Sequence, residues 1–297
     1  MNLTERIMKA VIPRSDVTGP LLKEIEDFAR VHGRYYSEVL ESLLDYIIFC
    51  FDIDHTPAPL WRYNQEDTEK FHHMMVTYFR MMEEALVHRS WYDMFGDLFM
   101  AWAGDKKYRG QCFTPMDMCD MMAHVTLDGK GSMEPTMRCR GFGKRVVVSD
   151  CACGSSRTLL AGHSVFISNG WRKPYLIGED LDAMCCKMSA VNMLVHGCYG
   201  EVVCHNTLTS PASIMFGYVV NEGLYPFQPG LPTVRFITKP EQSVACMTWE
   251  RRMQQARQMQ QLDDRNKPED VLPVGGAVAA SAESQKERQS PLQLTLW

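Results

Sequence analysis

Residues 150–156 read Asp150-Cys-Ala-Cys-Gly-Ser-Ser156, and the reading of this stretch decides the fold. It follows Arg145-Val-Val-Val-Ser-Asp150, a short β-branched run of the kind that forms a buried strand. A helical segment, about residues 157–166, comes next. Three readings compete: half of a metal site, a reactive thiol, or a turn that holds a ligand. Zinc pairs are usually two to four residues apart and closed by a second pair. Cys151 and Cys153 are separated by one residue, and Cys185-Cys186 is adjacent on a predicted helix, so no metal is expected. A redox C-x-x-C is absent.

Position favours the ligand turn. Open α/β sheets bind ligands at the carboxyl ends of their strands. Gly154 lets backbone approach a ligand, and the helix that follows offers unpaired N–H groups. Asp150 ends the strand, where its carboxylate can accept a hydrogen bond. Downstream, Pro174-Tyr-Leu-Ile-Gly178 predicts a second strand and residues 181–195 a helix. Glu201-Val-Val-Cys204 predicts a third strand, and residues 214–220 hold a fourth. This alternation predicts a parallel sheet with right-handed crossovers. The second strand ends at Glu179 and Asp180. An acid there suits the ribose of a nucleotide-type cofactor, although an acid facing a helix dipole reads the same way.

Upstream, residues 1–105 predict an all-helical domain. Leu40, Leu43, Leu44 and Ile47 share one helical face, as do Phe71, Met75, Tyr78 and Met82 on a helix over residues 65–88. Asn64 is placed to cap that second helix. Residues 115–125 predict a short helix and residues 126–144 a loop. From residue 250 the chain is rich in Gln, Ala, Pro and balanced charge, which predicts a helical and then disordered tail. The expected domains are residues 1–105, 106–249 and 250–297.

The net charge of −5 argues against coating nucleic acid through bulk charge. Local clusters, Lys106, Lys107 and Arg109 and then Arg138, Arg140, Lys144 and Arg145, remain available to DNA phosphates. Eleven cysteines, an odd number, fit reduced thiols rather than a disulfide framework. With no signal-peptide pattern and no apolar run long enough for a bilayer, a cytoplasmic protein is expected.

Together these residues resemble a known family. Asp150-Cys-Ala-Cys-Gly-Ser-Ser resembles the D-P-A-C-G-S-G loop of N6-adenine DNA methyltransferases, especially the modification subunits of type I restriction systems. Gly110-Gln-Cys-Phe-Thr-Pro115 resembles the family's G-Q-F/Y-Y-T-P segment. Gly178-Glu-Asp, then Asn192-Met-Leu-Val-His-Gly197, resembles its G-x-E helix ending in N-L-x-x-H-G. Cys204-His-Asn-Thr-Leu208 resembles its G-D-T-L strand end. The resemblance implies a helical domain followed by a shortened Rossmann-like methyltransferase domain with a mainly parallel sheet. It implies S-adenosylmethionine (S-adenosyl-L-methionine) as cofactor and adenine N6 in DNA as methyl acceptor. Phe113, Thr114 and Pro115 would contact the cofactor. Asp150, Ala152 and Gly154 would surround its methionine part. Glu179 or Asp180 would take the ribose, and Asn206 would lie near its adenine.

The chain departs from the family at the catalytic N-P-P-Y/F. Aligning Phe216 puts Glu222-Gly-Leu-Tyr225 there, so Glu222 and Tyr225 become the candidate catalytic residues, with Asn221 one position early. Cys151 replaces the loop's proline and Ser156 its last glycine. Two functions therefore stand open: an adenine methyltransferase, with DNA and a specificity or other restriction–modification subunit as partners, or a non-catalytic module that binds cofactor, DNA or protein. The terminal Gln293-Leu-Thr-Leu-Trp297 resembles the sliding-clamp peptide Q-L-x-L-F, with Gln293, Leu294, Leu296 and Trp297 as contacts.

Overall fold

The computed structural model describes residues 14–55, 63–103, 112–128, 134–135, 137–139, 143–208, 214–222, 231–250, 253–254 and 257–258. Tyr225, Lys106, Lys107, Arg109, Arg140 and the Gln293–Trp297 peptide lie outside these residues, as does the side chain of Arg138.

Four helices open the described chain: α1 (Arg14–His32), α2 (Tyr36–Cys50), α3 (Gln65–His88) and α4 (Met94–Ala103). The apolar faces read from the sequence are the buried ones, except that Met75 of α3 is half-buried and Met74 beside it is the buried residue. Leu40, Leu43, Leu44 and Ile47 of α2 are fully buried, as are Phe71 and Tyr78 of α3. Asn64 caps α3, its side chain accepting from the Asp67 N–H at 2.8 Å. Helix α5 (Met116–Leu127) follows Pro115.

Residues 137–145 differ from the expected loop. They form an antiparallel hairpin of β1 (Met137–Cys139) and β2 (Gly143–Arg145). Strands of three residues are too short to leave an alternating pattern in a polar sequence.

The main sheet has the order β3-β4-β5-β6-β7. Its members are β3 (Val147–Asp150), β4 (Tyr175–Asp180), β5 (Tyr199–Cys204), β6 (Phe216–Val220) and β7 (Val234–Ile237). Helices α6 (Arg157–Ser168) and α7 (Ala183–Val195) make the crossovers between the first three strands, which are parallel. The expected fourth strand exists, but it runs antiparallel: Cys204 pairs with Phe216 and Gly200 with Val220. The cause is the short link. Met215 N–H returns to the Cys204 carbonyl at 2.9 Å, whereas a parallel return needs a crossover of about a dozen residues or more.

Helices α6 and α7 cover one face of the sheet, with the N-terminal helices behind them. Leu40, Ile47, Tyr78, Leu160, Val191 and Val202 belong to one continuous core. The β1–β2 hairpin and a helical stretch at residues 244–250 cover the other face, around Tyr175, Ile177, Val203 and Ile237. Glu201, fully buried, anchors that stretch, accepting from Ser243 Oγ and from the Val244 and Ala245 N–H groups at 2.7–3.0 Å. The β7 edge is capped by residues 51–53, through bonds between Val234 and the backbone of Phe51 and Ile53. Among the described residues no strand pairs with the outer side of β3. No helix among them is long and apolar enough to cross a membrane.

Candidate cofactor site

Residues 150–156 form the turn between β3 and α6, at the carboxyl edge of the parallel strands. A small pocket opens on this turn, lined by Phe113, Thr114, Asp150, Ala152, Gly154 and Arg157 among others. The turn requires its glycine twice over. Gly154 has φ +53°, and a Cβ there would stand 3.0 Å from the Phe113 ring. Ser156 occupies the left-handed region as well, at φ 73°, where the resembled loop has its last glycine. A hydroxyl–hydroxyl bond to buried Ser189 of α7 holds it there.

The thiols are not activated. Cys153 is buried, and burial holds its thiol well above the ordinary value. Cys151 is exposed, yet partial burial, and then Asp150 and Glu179, raise its thiol too. A reactive cysteine needs the opposite environment.

The three acids divide their work. Asp150 is buried and builds the turn, accepting from the Ala152 N–H at 3.0 Å and from the Thr158 hydroxyl. Burial raises its carboxyl, against the pull of the Thr158 bond. Asp180 reaches from the end of β4 to the same turn, accepting from the Gly154 N–H and the Asp182 N–H, each at 2.9 Å. Glu179, one residue earlier, points to the other face of the sheet by strand alternation. There it bonds His205 Nε2 at 2.7 Å. So the two candidates for a ribose acid, equivalent in the sequence, are separated by the strand: the Asp180 carboxylate bonds the turn, whereas Glu179 meets it through its backbone carbonyl, which accepts the Cys153 N–H at 3.0 Å. Phe113 and Thr114 line the pocket, and Pro115 caps α5 beside them. Asn206 follows β5 and accepts from the Leu208 N–H at 3.0 Å.

The largest feature missed in the sequence lies beneath the turn. Asp93, fully buried, accepts from Arg157 Nε and Ser155 Oγ at 2.5 Å, Asn192 Nδ2 at 2.7 Å and the Gly96 N–H at 2.8 Å. Arg157 also bonds Asp97 at 2.7 Å and the Thr114 carbonyl at 3.3 Å, with its guanidinium over the Phe113 ring. A Cβ at Gly96 would collide with the Asp93 carboxylate at 1.8 Å, so Gly96 is required by this anchor. The only sequence signal was Asp93 standing before an apolar helical run, as a helix cap does.

The same anchor explains Asn192-Met-Leu-Val-His-Gly197. Asn192 also bonds the Ser155 carbonyl at 2.8 Å. His196 donates from Nδ1 to the Asn192 carbonyl at 2.6 Å and accepts the Tyr92 N–H on Nε2 at 3.1 Å. Both bonds suit a neutral ring, and burial lowers its pKa. Gly197, at φ +60°, ends α7.

The structure does not bring Glu222, the described residue of the expected catalytic segment, to this site. Because β6 is antiparallel, Val220 lies beside Gly200, at the start of β5, and Asn221 and Glu222 stand at the opposite edge of the sheet. Glu222 is buried and accepts from Arg235 Nε at 2.7 Å and Nη2 at 2.5 Å. Asn221 donates to the carbonyls of Met193, Leu194 and Cys198 at 2.8–3.3 Å and accepts the Thr233 N–H. Both side chains are engaged within the fold at that edge.

The parallel β3-α6-β4-α7-β5 unit, with a glycine turn and an acid at the second strand, is that of Rossmann-like folds. Residues 91–228 match the model of the family described as N-6 DNA Methylase. The match begins at Trp91 and so includes Asp93, Gly96 and α4. The cofactor of this family is S-adenosylmethionine. Among curated proteins, none matches the chain. One similar solved structure is described as a class I S-adenosylmethionine-dependent methyltransferase from Listeria monocytogenes. It shares 12% identity and a TM-score of 0.40, over 66% of this chain and 55% of that one. This chain thus spans about half the length of that structure.

Proposed function

We propose that the β3–α6 turn binds S-adenosylmethionine and that the chain serves methyl transfer to adenine N6 in DNA. The observation that carries the reading is Gly154: it packs on Phe113, gives its N–H to Asp180 and leaves no room for a Cβ. That is a cradle built for close approach of a ligand. Asp180 takes the ribose hydroxyls, rather than Glu179, whose carboxylate is engaged with His205. Phe113 and Thr114 supply the wall, and the first-turn N–H groups of α6 face the cofactor's carboxylate. The cofactor supplies an electrophilic methyl group. The chain's residues orient it, and placement carries most of the rate in such a displacement.

Glu222 has no part in receiving the target base in this reading. The amino group of the adenine is met by residues outside the described ones or by a specificity or other restriction–modification subunit. A second reading, a cofactor-binding module without catalysis, is favoured by the burial of Glu222 against Arg235. Titration calorimetry with S-adenosylmethionine tests the first step, and labelled methyl transfer to DNA by the purified chain separates the readings. Binding with transfer supports catalysis by the chain. Binding without transfer supports the module, and no binding refutes both. The Gln293–Trp297 peptide is proposed as a sliding-clamp contact, and unchanged co-elution with the clamp after its deletion would refute that.

A further inference from the structure

At the amino-terminal edge of the parallel strands, opposite the cofactor turn, two cations flank one aromatic ring and two more are their neighbours in the chain. Arg145 leads into β3, Arg172 and Lys173 lead into β4, and Tyr199 begins β5. The Arg145 guanidinium lies 4.8 Å from the centre of the Tyr199 ring and the Lys173 ammonium 5.2 Å from it. Both cations are pinned by backbone: Arg145 bonds the Lys173 carbonyl and Lys173 the Gly197 carbonyl, each at 2.9 Å. Lys144 and Arg172 are exposed beside them. Arg172 is close enough to disfavour the charge on Arg145, a smaller effect than Arg145's own burial. Among the described residues, no ion pair joins Lys144, Arg172 or Lys173 to a carboxylate.

We propose that Lys144, Arg145, Arg172 and Lys173 form a docking surface for the phosphate backbone of duplex DNA. The duplex lies along the open β3 edge, which runs from this patch to the cofactor turn. The inference rests on the reading of the turn as the place where a DNA base is presented. Strand residues rise about 3.3 Å each, so the patch stands some 15–20 Å from the turn. That distance is about five base pairs of duplex, so the patch meets phosphates flanking the target base. Pinning by carbonyls and by the ring lowers the entropy lost when these long side chains engage phosphate.

The test is fluorescence anisotropy of a labelled DNA duplex with the full chain, titrated at several salt concentrations. The exposed pair is reversed in Lys144→Glu, Arg172→Glu, with Lys23→Glu, Lys70→Glu on α1 and α3 as a control of equal charge change. The patch variant is expected to bind at least about tenfold more weakly, with a salt slope shallower by about two. The control is expected to keep the slope. Titration calorimetry with S-adenosylmethionine must give wild-type affinity for the patch variant, which keeps failure of the patch apart from failure of the cofactor reading. No DNA binding by the wild type overturns the proposal. So does equal loss in both variants, or recognition only of an acidic protein.

Discussion

Asp93 and Arg157 stand 64 positions apart in the chain, and Arg157 Nε lies 2.5 Å from Asp93 Oδ2 in the core. Asp93 precedes the last of the N-terminal helices, and Arg157 opens the helix after the cofactor turn. The contact therefore fixes the turn to the helical layer, and Ser155 and Asn192 join it from the turn and from α7.

Asp93→Ala removes the partner of a buried guanidinium and four acceptor contacts. A loss of about 3–5 kcal/mol of folding stability is expected, measured by urea denaturation. Asp97→Ala, which leaves Asp93 in place, is expected to cost less.

Gly154→Ala forces an L side chain to φ +53° and presses its Cβ on Phe113. A cost of about 1 kcal/mol or more in stability is expected. Cofactor affinity should fall with it in calorimetry. Adding Phe113→Ala should return part of the stability, since it removes the contact but not the strain.

Asp180→Asn is expected to weaken S-adenosylmethionine binding by about tenfold or more, the value of one charged hydrogen bond. Glu179→Gln, on the opposite face of the strand, should leave the affinity within about twofold. The two titrations side by side decide which acid holds the ribose.

His163 is buried on α6, and burial lowers its pKa from 6.5 to about 4. The unfolded ring takes up a proton near its ordinary value while the folded ring refuses it. Stability therefore falls as pH drops through that window, by up to about 1.4 kcal/mol per pH unit. His163→Asn should flatten this dependence in denaturation series from neutral to acid pH, leaving the contribution of His196, which has the same sign.

Glu222→Gln should lower stability by about 1–3 kcal/mol, because it leaves the Arg235 guanidinium short of its charged partner. If Glu222 received the target base, methyl transfer would vanish while the melting point held. The geometry predicts the reverse pattern.

Much of the site was legible in the chain because it is local. A β-branched run, a glycine turn and a helix start are neighbours in sequence, and their order alone places Asp150 and Gly154 at a strand's carboxyl end. Helical faces were legible for the same reason: Leu40, Leu43, Leu44 and Ile47 meet on one side by periodicity. The hairpin at residues 137–145 was not, since three-residue polar strands carry no period.

Three things only the tertiary structure decided. Strand alternation, fixed by the register of β4 with its neighbours, separates Asp180 from Glu179, although both end the same strand. Pairing across 64 positions joins Asp93 to Arg157, and no local pattern encodes a contact between distant residues. The direction of β6 depends on whether the link before it can cross the sheet. Met215 bonds back to Cys204, and Glu222, which sequence order put at the catalytic position, stands at the far edge of the sheet. Sequence thus set the local elements and the chemistry they carry. Long-range hydrogen bonding and burial set which of those groups share a site, because only the packed chain brings distant residues within bonding distance.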